Sequence, residues 1–210
     1  MEEVLDDFIS SFWQNDRYKE LERLAEEYGW EFTPRARFSE QATALKGFSL
    51  FKGKRGKRIT GILSAPVKGI PCHVRIYDYV YYSDGGKKKT TVIELTCEQI
   101  YLSRFHIKPK KGITNIFNLG NRKKGSTGLE KFSAHYHIDA ADPESTDIQI
   151  PDSALGLIAN NKDVSLEGEG HLLLYYSNRK LIPAHELLSD YEKAVEIMDR
   201  LLHDREKEFV

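Results

Sequence analysis

Long apolar runs are missing from this chain of 210 residues. The longest, Leu172–Tyr176, falls far short of the roughly 20 residues a helix needs to cross a bilayer, so no transmembrane segment is expected. Cysteine is scarce as well. Cys72 and Cys97 cannot build a disulfide framework, and both are expected to be buried thiols in a reducing compartment. A secretory signal is also lacking: the chain starts Met1-Glu2-Glu3 and reaches Asp6-Asp7 before any apolar run develops, which predicts a cytoplasmic protein. Catalytic spacings are absent too. The tract Phe51–Arg58 imitates a phosphate loop, but its spacing is wrong and Arg58 stands where a magnesium-binding hydroxyl would be needed. No G-x-S-x-G or H-E-x-x-H string occurs. His135 and His137, if on one strand, would share a face, but two ligands are too few for a metal, and Cys72 and His73 would point to opposite faces. No catalytic residue, metal site or cofactor is therefore expected.

What is present is a segregation of charge. The net charge is −1, yet residues 51–131 carry 18 Lys/Arg against 5 Asp/Glu, residues 1–50 carry 6 against 11, and residues 132–210 carry 7 against 16. A basic middle thus lies between acidic flanks. Because fields act locally and are screened beyond about 8–10 Å at physiological salt, this asymmetry says more about partners than the total does.

Periodicity places the elements. Val4, Leu5, Phe8, Ile9, Phe12 and Trp13 form one helical stripe, and Tyr18, Leu21, Leu24, Ala25 and Tyr28 form a second that stops at Gly29. Strands are predicted at Ile59–Leu63, Cys72–Tyr82, Thr90–Cys97, Arg104–Lys108, His135–Ile138 and His171–Tyr176. Gly85 and Gly86 are expected to make the reversal of a central hairpin, with Tyr77, Tyr79 and Tyr81 on one face and Val74, Ile76 and Val80 on the other. The tyrosine ladder reads as a half-covered sheet face rather than a base-stacking platform. Asp78, between tyrosines, reads as structural, bonded to a neighbouring hydroxyl or a cross-strand lysine. A helix near Ala154–Asn160 and a last amphipathic helix from Ala184 to Glu206 follow, while Gly120–Gly128 is expected to be mobile. The fold class is α+β: a mostly antiparallel sheet, a meander with a central hairpin, and helices at both termini. One domain over 1–210 is expected, helical at 1–29, strand-rich and basic at 30–140, and mixed at 141–210.

In such a meander alternate connections share one end of the sheet, and those are the basic ones. Lys54, Arg55, Lys57 and Arg58 precede the first strand, Lys87, Lys88 and Lys89 follow the second, and Lys108, Lys110 and Lys111 follow the fourth. They form the candidate anion-binding set, for nucleic-acid backbone, acidic lipid headgroups or an acidic protein segment. Two plainer readings compete: lysines that solvate sheet edges, and acidic helices that fold over the patch.

The segment Phe48-Ser49-Leu50-Phe51 with its basic-glycine tract, Asp78-Tyr79-Val80-Tyr81 running through Gly85, Gly86 and Lys87 to Thr91, and Phe132-Ser133-x-x-Tyr136 resemble the pattern of a family of uncharacterised bacterial proteins. The resemblance spans residues 48–190 and lapses between Leu102 and Leu129. It implies an α+β fold and a bacterial source, and brings no catalytic residues with it. The resulting expectation is a protein-interaction or regulatory binding module. Alternatives are an anion-binding module that uses the basic end, and an enzyme whose scattered Asp, His and Cys converge in space. The partner is an unidentified protein or a polyanion, and a homodimer follows if either terminal stripe lies open to solvent.

Overall fold

In the computed structural model the described residues are 16–83, 85–110, 127–142, 149–161, 163–177 and 180–203, with the side chains of 40–42 and 127–129 excepted. The first helix, α1 (16–28), ends at Gly29, whose φ of 68° is the left-handed turn that stops a helix. Then come β1 (Glu31–Ala36), α2 (Phe38–Leu45), a 3-10 turn (Ser49–Phe51), β2 (Arg55–Pro66), β3 (Cys72–Ser83), β4 (Gly86–Cys97) and β5 (Leu102–Pro109). The remainder is α3 (Thr127–His135), β6 (Tyr136–Ala140), α4 (Asp152–Ala159), β7 (Val164–Gly170), β8 (Leu172–Ser177) and α5 (Ala184–His203). The stripe at 4–13 lies outside the described residues, as does the expected mobile segment up to the start of α3.

The eight strands form one antiparallel sheet in the order β1-β2-β3-β4-β8-β7-β5-β6. The expected meander covers β2 to β4. The β7–β8 hairpin then enters between β4 and β5, so the fourth strand of the sequence pattern is not a neighbour of the third. His135 ends α3 instead of opening β6, so strand alternation does not bring it beside His137.

Alternation sorts the core onto two faces. Val74, Ile76, Ile93, Leu95, Leu173 and Tyr175 pack with Leu21 and Ala25 of α1, Ala154 and Leu155 of α4, and Leu187, Ala194, Ile197, Met198 and Leu201 of α5. The apolar stripe of α5 is thereby buried, with Leu188 and Leu202 half-buried at its margins. On the opposite face Tyr77, Tyr79, Tyr81, Val92, Leu174 and Tyr176 pack under Leu45, Phe48, Leu50 and Phe51 of the α2 and 3-10 segment. The tyrosine ladder is covered more completely than expected: Tyr77 and Tyr79 are 0% exposed and Tyr81 is 6%.

Glycine sets two departures from regular register in β2. Gly56 (φ 57°) and Gly61 (φ 60°) coincide with the shifts between Arg55 and Arg58 and between Thr60 and Leu63. At Gly61 a β-carbon would stand 2.7 Å from Leu21 Cδ1, so this bulge is where α1 lies directly on the sheet. In the central hairpin Ser83 pairs with Gly86, and among the described residues of the turn Gly86 alone has positive φ, at 87°. Gly85 does not share the left-handed role.

Candidate binding surface

Strand direction brings the starts of β2 and β4 and the ends of β1 and β3 to one end of the sheet, because each pair is antiparallel. Arg55 lies opposite Tyr82, which in turn faces Lys87, and Arg58 lies opposite Val80, which faces Lys89. These rows are the cluster expected from the sequence. Arg55, Arg58 and Lys87 are exposed, and Lys54, Lys57, Lys88 and Lys89 are partly so. Two of the cations rest on aromatic faces: Lys54 Nζ is 5.3 Å from the Tyr81 ring centroid and Lys57 Nζ is 4.9 Å from that of Phe38. Tyr81 lies on the sheet face under α2 and Phe38 opens α2 itself, while Lys89 lines a cavity on the α1 face, so the positive surface wraps the sheet end.

Two cations that the sequence reading missed join this group. Arg35 pairs with Thr60 in β1, and Arg37 follows that strand; both are exposed. Pro34 hid the strand, since proline argues against a central strand and is tolerated on an edge. The alternation in Glu31–Ala36 was the available signal.

The other expected members separate. Two strands, β8 and β7, lie between β4 and β5, which sets β5 roughly 14 Å from β4 at ordinary strand spacing. Lys108 is ion-paired with Asp139, and Lys110 Nζ donates to the Ser133 carbonyl at 2.5 Å. Lys111 lies outside the described residues. Burial raises the Asp139 carboxyl, but the Lys108 hydrogen bond and charge, with His137 beside it, hold it below the usual carboxylate range.

Among the described residues, the acidic start of α1 meets the positive surface on the side where Lys89 lies. Asp16, Arg17, Glu20, Thr60, Asp78 and Lys89 line a cavity of about 420 Å³. Within it Asp78 is 5% exposed; its carboxylate accepts from Arg17 Nε at 3.2 Å and from Thr91 Oγ1 at 2.7 Å. Thr91 Oγ1 in turn accepts from Ile182 N–H at 3.0 Å, which ties the approach to α5 into the same group. Asp78 is thus a structural carboxylate bound to a neighbouring hydroxyl, as expected, with Arg17 added and, among the described residues, no lysine bonded to it. Among the described residues no carboxylate forms an ion pair with Arg35, Arg37, Lys54, Arg55, Lys57, Arg58, Lys87, Lys88 or Lys89.

The remaining buried acids are engaged in the covered face. Glu94 accepts from the Tyr77 hydroxyl at 2.9 Å and from Arg75 at 3.2 Å. Burial, then the adjacent Glu94 charge, pushes the Tyr77 hydroxyl far above its ordinary range, so it stays a donor. Glu167 accepts from the backbone N–H groups of Ser49 and Leu50 and from the Tyr176 hydroxyl. His106 Nε2 lies 3.3 Å from that hydroxyl, and burial lowers its pKa despite the nearby Glu167.

No protein-family model and no curated protein matches the chain. Among solved structures, the crystal structure of the mycobacterial trehalose monomycolate transport factor A, TtfA, is similar in fold, with a TM-score of 0.60 over 89% of this chain and 94% of that chain. At 11% identity the likeness is one of fold alone.

Proposed function

We propose that this chain is a non-enzymatic binding module that docks an acidic protein segment on the basic end of β1–β4. The observation that carries this reading is the cluster of arginines and lysines at one end of β1, β2 and β4 that pair with no carboxylate among the described residues. Uncompensated like charges repel one another, and an acidic partner relieves that repulsion while steering association. A protein partner is favoured over single-stranded nucleic acid because Tyr77, Tyr79 and Tyr81, the ladder that would stack successive bases, are buried, and Tyr82 alone among the described tyrosines of these rows is exposed. An enzyme is disfavoured because Asp78, Glu94 and Glu167 are all committed to bonds that hold the fold. The proposal includes a cytoplasmic setting, supported by two cysteines that remain thiols.

The test is fluorescence anisotropy of a labelled polyglutamate peptide titrated with the protein at rising salt. Binding is expected at low salt and to weaken steeply as salt rises, and Arg55→Glu with Arg58→Glu together are expected to weaken it roughly tenfold or more. No binding at low salt, or binding indifferent to the double reversal, would overturn the reading. Tighter binding to duplex DNA or to anionic vesicles at equal salt would assign the same surface to phosphate instead.

A further inference from the structure

Cys72 opens β3, Cys97 closes β4, and the register sets them directly opposite each other. In an antiparallel pair, facing residues alternately exchange both backbone hydrogen bonds or none. Cys72 uses its backbone groups on the side away from β4: its N–H donates to the Ile70 carbonyl at 2.8 Å, and its carbonyl accepts from Val67 N–H at 2.8 Å. Cys97 turns its N–H toward β8, donating to the His171 carbonyl at 2.9 Å. The two cysteines are therefore a non-hydrogen-bonded pair, the closer kind, with Cα atoms about 4.5 Å apart. A disulfide spans Cα separations of about 4.4–6.8 Å. Both side chains lie in the same core cluster, both are free thiols, and they are within hydrogen-bonding reach of each other.

We propose that Cys72 and Cys97 are a dithiol modification site that a peroxide converts into a cross-strand disulfide. Cys72 is the more accessible, at 7% exposed against 1%. With loss of its proton, its sulfur attacks one oxygen of hydrogen peroxide; the O–O bond breaks, leaving a sulfenic acid on Cys72 and one water. The Cys97 sulfur then attacks the sulfenic sulfur, the S–O bond breaks, and the departing hydroxide leaves as water with the Cys97 proton. Two thiols and one peroxide give one disulfide and two waters; each sulfur loses one electron and each peroxide oxygen gains one. Burial pushes the Cys72 thiol above the ordinary thiol range, so the first step is slow and requires sustained oxidant. The second step joins groups already held opposite each other and is fast by comparison. The new bond ties the strands at the end of the sheet remote from the basic surface, so docking and oxidation are separable.

The test holds the full-length protein with hydrogen peroxide, quenches it, denatures it, alkylates it with N-ethylmaleimide and maps the peptides by mass spectrometry. The expected result is one linked peptide pair containing Cys72 and Cys97, a chain mass lower by two hydrogens, and no alkylation until dithiothreitol restores both thiols. Cys97→Ser is expected to leave a Cys72 sulfenic acid that dimedone traps. The wild-type measurement stands by itself if that variant does not fold. Full alkylation after peroxide, sulfinic or sulfonic acid in place of the bridge, or a bridge between two chains would each overturn the proposal.

Discussion

Three donors converge on the Glu167 carboxylate: Ser49 N–H at 2.5 Å, Leu50 N–H at 2.9 Å and the Tyr176 hydroxyl at 2.6 Å. One buried side chain of β7 thereby fixes the 3-10 turn that covers the tyrosine face. Glu167→Gln keeps the shape but replaces one acceptor with an amide that only donates, so at least one of the three donors is left facing another donor. The expected cost is about 2–3 kcal/mol, read as a lower urea midpoint with little change in slope; Glu167→Ala should cost at least as much. The same residue explains a gap in the sequence reading. In Val164–Gly170 the positions facing the 3-10 turn include Ser165 and Glu167, so a strand buried on both faces reads as a polar loop. Asp78 was legible because its cross-strand partner, Thr91, sits in a hairpin whose register the alternation already implied.

Helices and strands with a regular apolar period were recovered with small shifts of boundary, as with β3, β4, β8 and α5. Elements that lacked it were not: β1 carries Pro34, α2 is short, and α3 follows a lysine-rich tract. The central hairpin gives a sharp test at this scale. Gly86→Val places a β-branched residue at φ 87° and is expected to destabilise the protein by at least about 1 kcal/mol. Gly85→Ala meets only the mobile end of Lys88, 3.3 Å from the new carbon, and is expected to change stability by less than about 0.5 kcal/mol. Thermal unfolding of the two variants side by side distinguishes a turn held by one glycine from a turn that needs both. The basic end was legible for the same reason as the hairpin: its cations sit at strand ends whose directions follow from the turns. That β5 lies apart from β4 was not, because it depends on strands some 80 residues away in the chain.

Over the whole molecule, stability should depend on pH through His106. It faces Glu167 on β7, the Tyr176 hydroxyl on β8, Lys108 on its own strand, and His137 and Asp139 on β6. Burial prevails over the nearby carboxylates and sets its pKa below the unfolded value of about 6.5. The unfolded chain therefore binds the proton more readily: this contribution is fully present above about pH 6.5 and is lost as pH falls through the folded value. Urea midpoints measured from about pH 7.5 down to 5 are expected to decline in the wild type, and His106→Gln should flatten the decline over that window. A midpoint that rises on acidification would show that the imidazole is charged in the folded state.

The insertion of β7 and β8 into the middle of the sheet also governs how the protein is made. β4 is complete at Cys97, but β8, which covers its free edge along Val92–Thr96, does not begin until Leu172. At translation rates of about 5–20 residues per second, a growing chain carries that edge uncovered for roughly 4–15 seconds. An open strand with unpaired N–H and C=O groups is a template for pairing with another chain. Lys87, Lys88 and Lys89 stand at the start of that same strand, where like charge keeps two nascent copies apart. The lysines that would receive an acidic partner in the finished protein thus stand on the strand whose edge waits for β8.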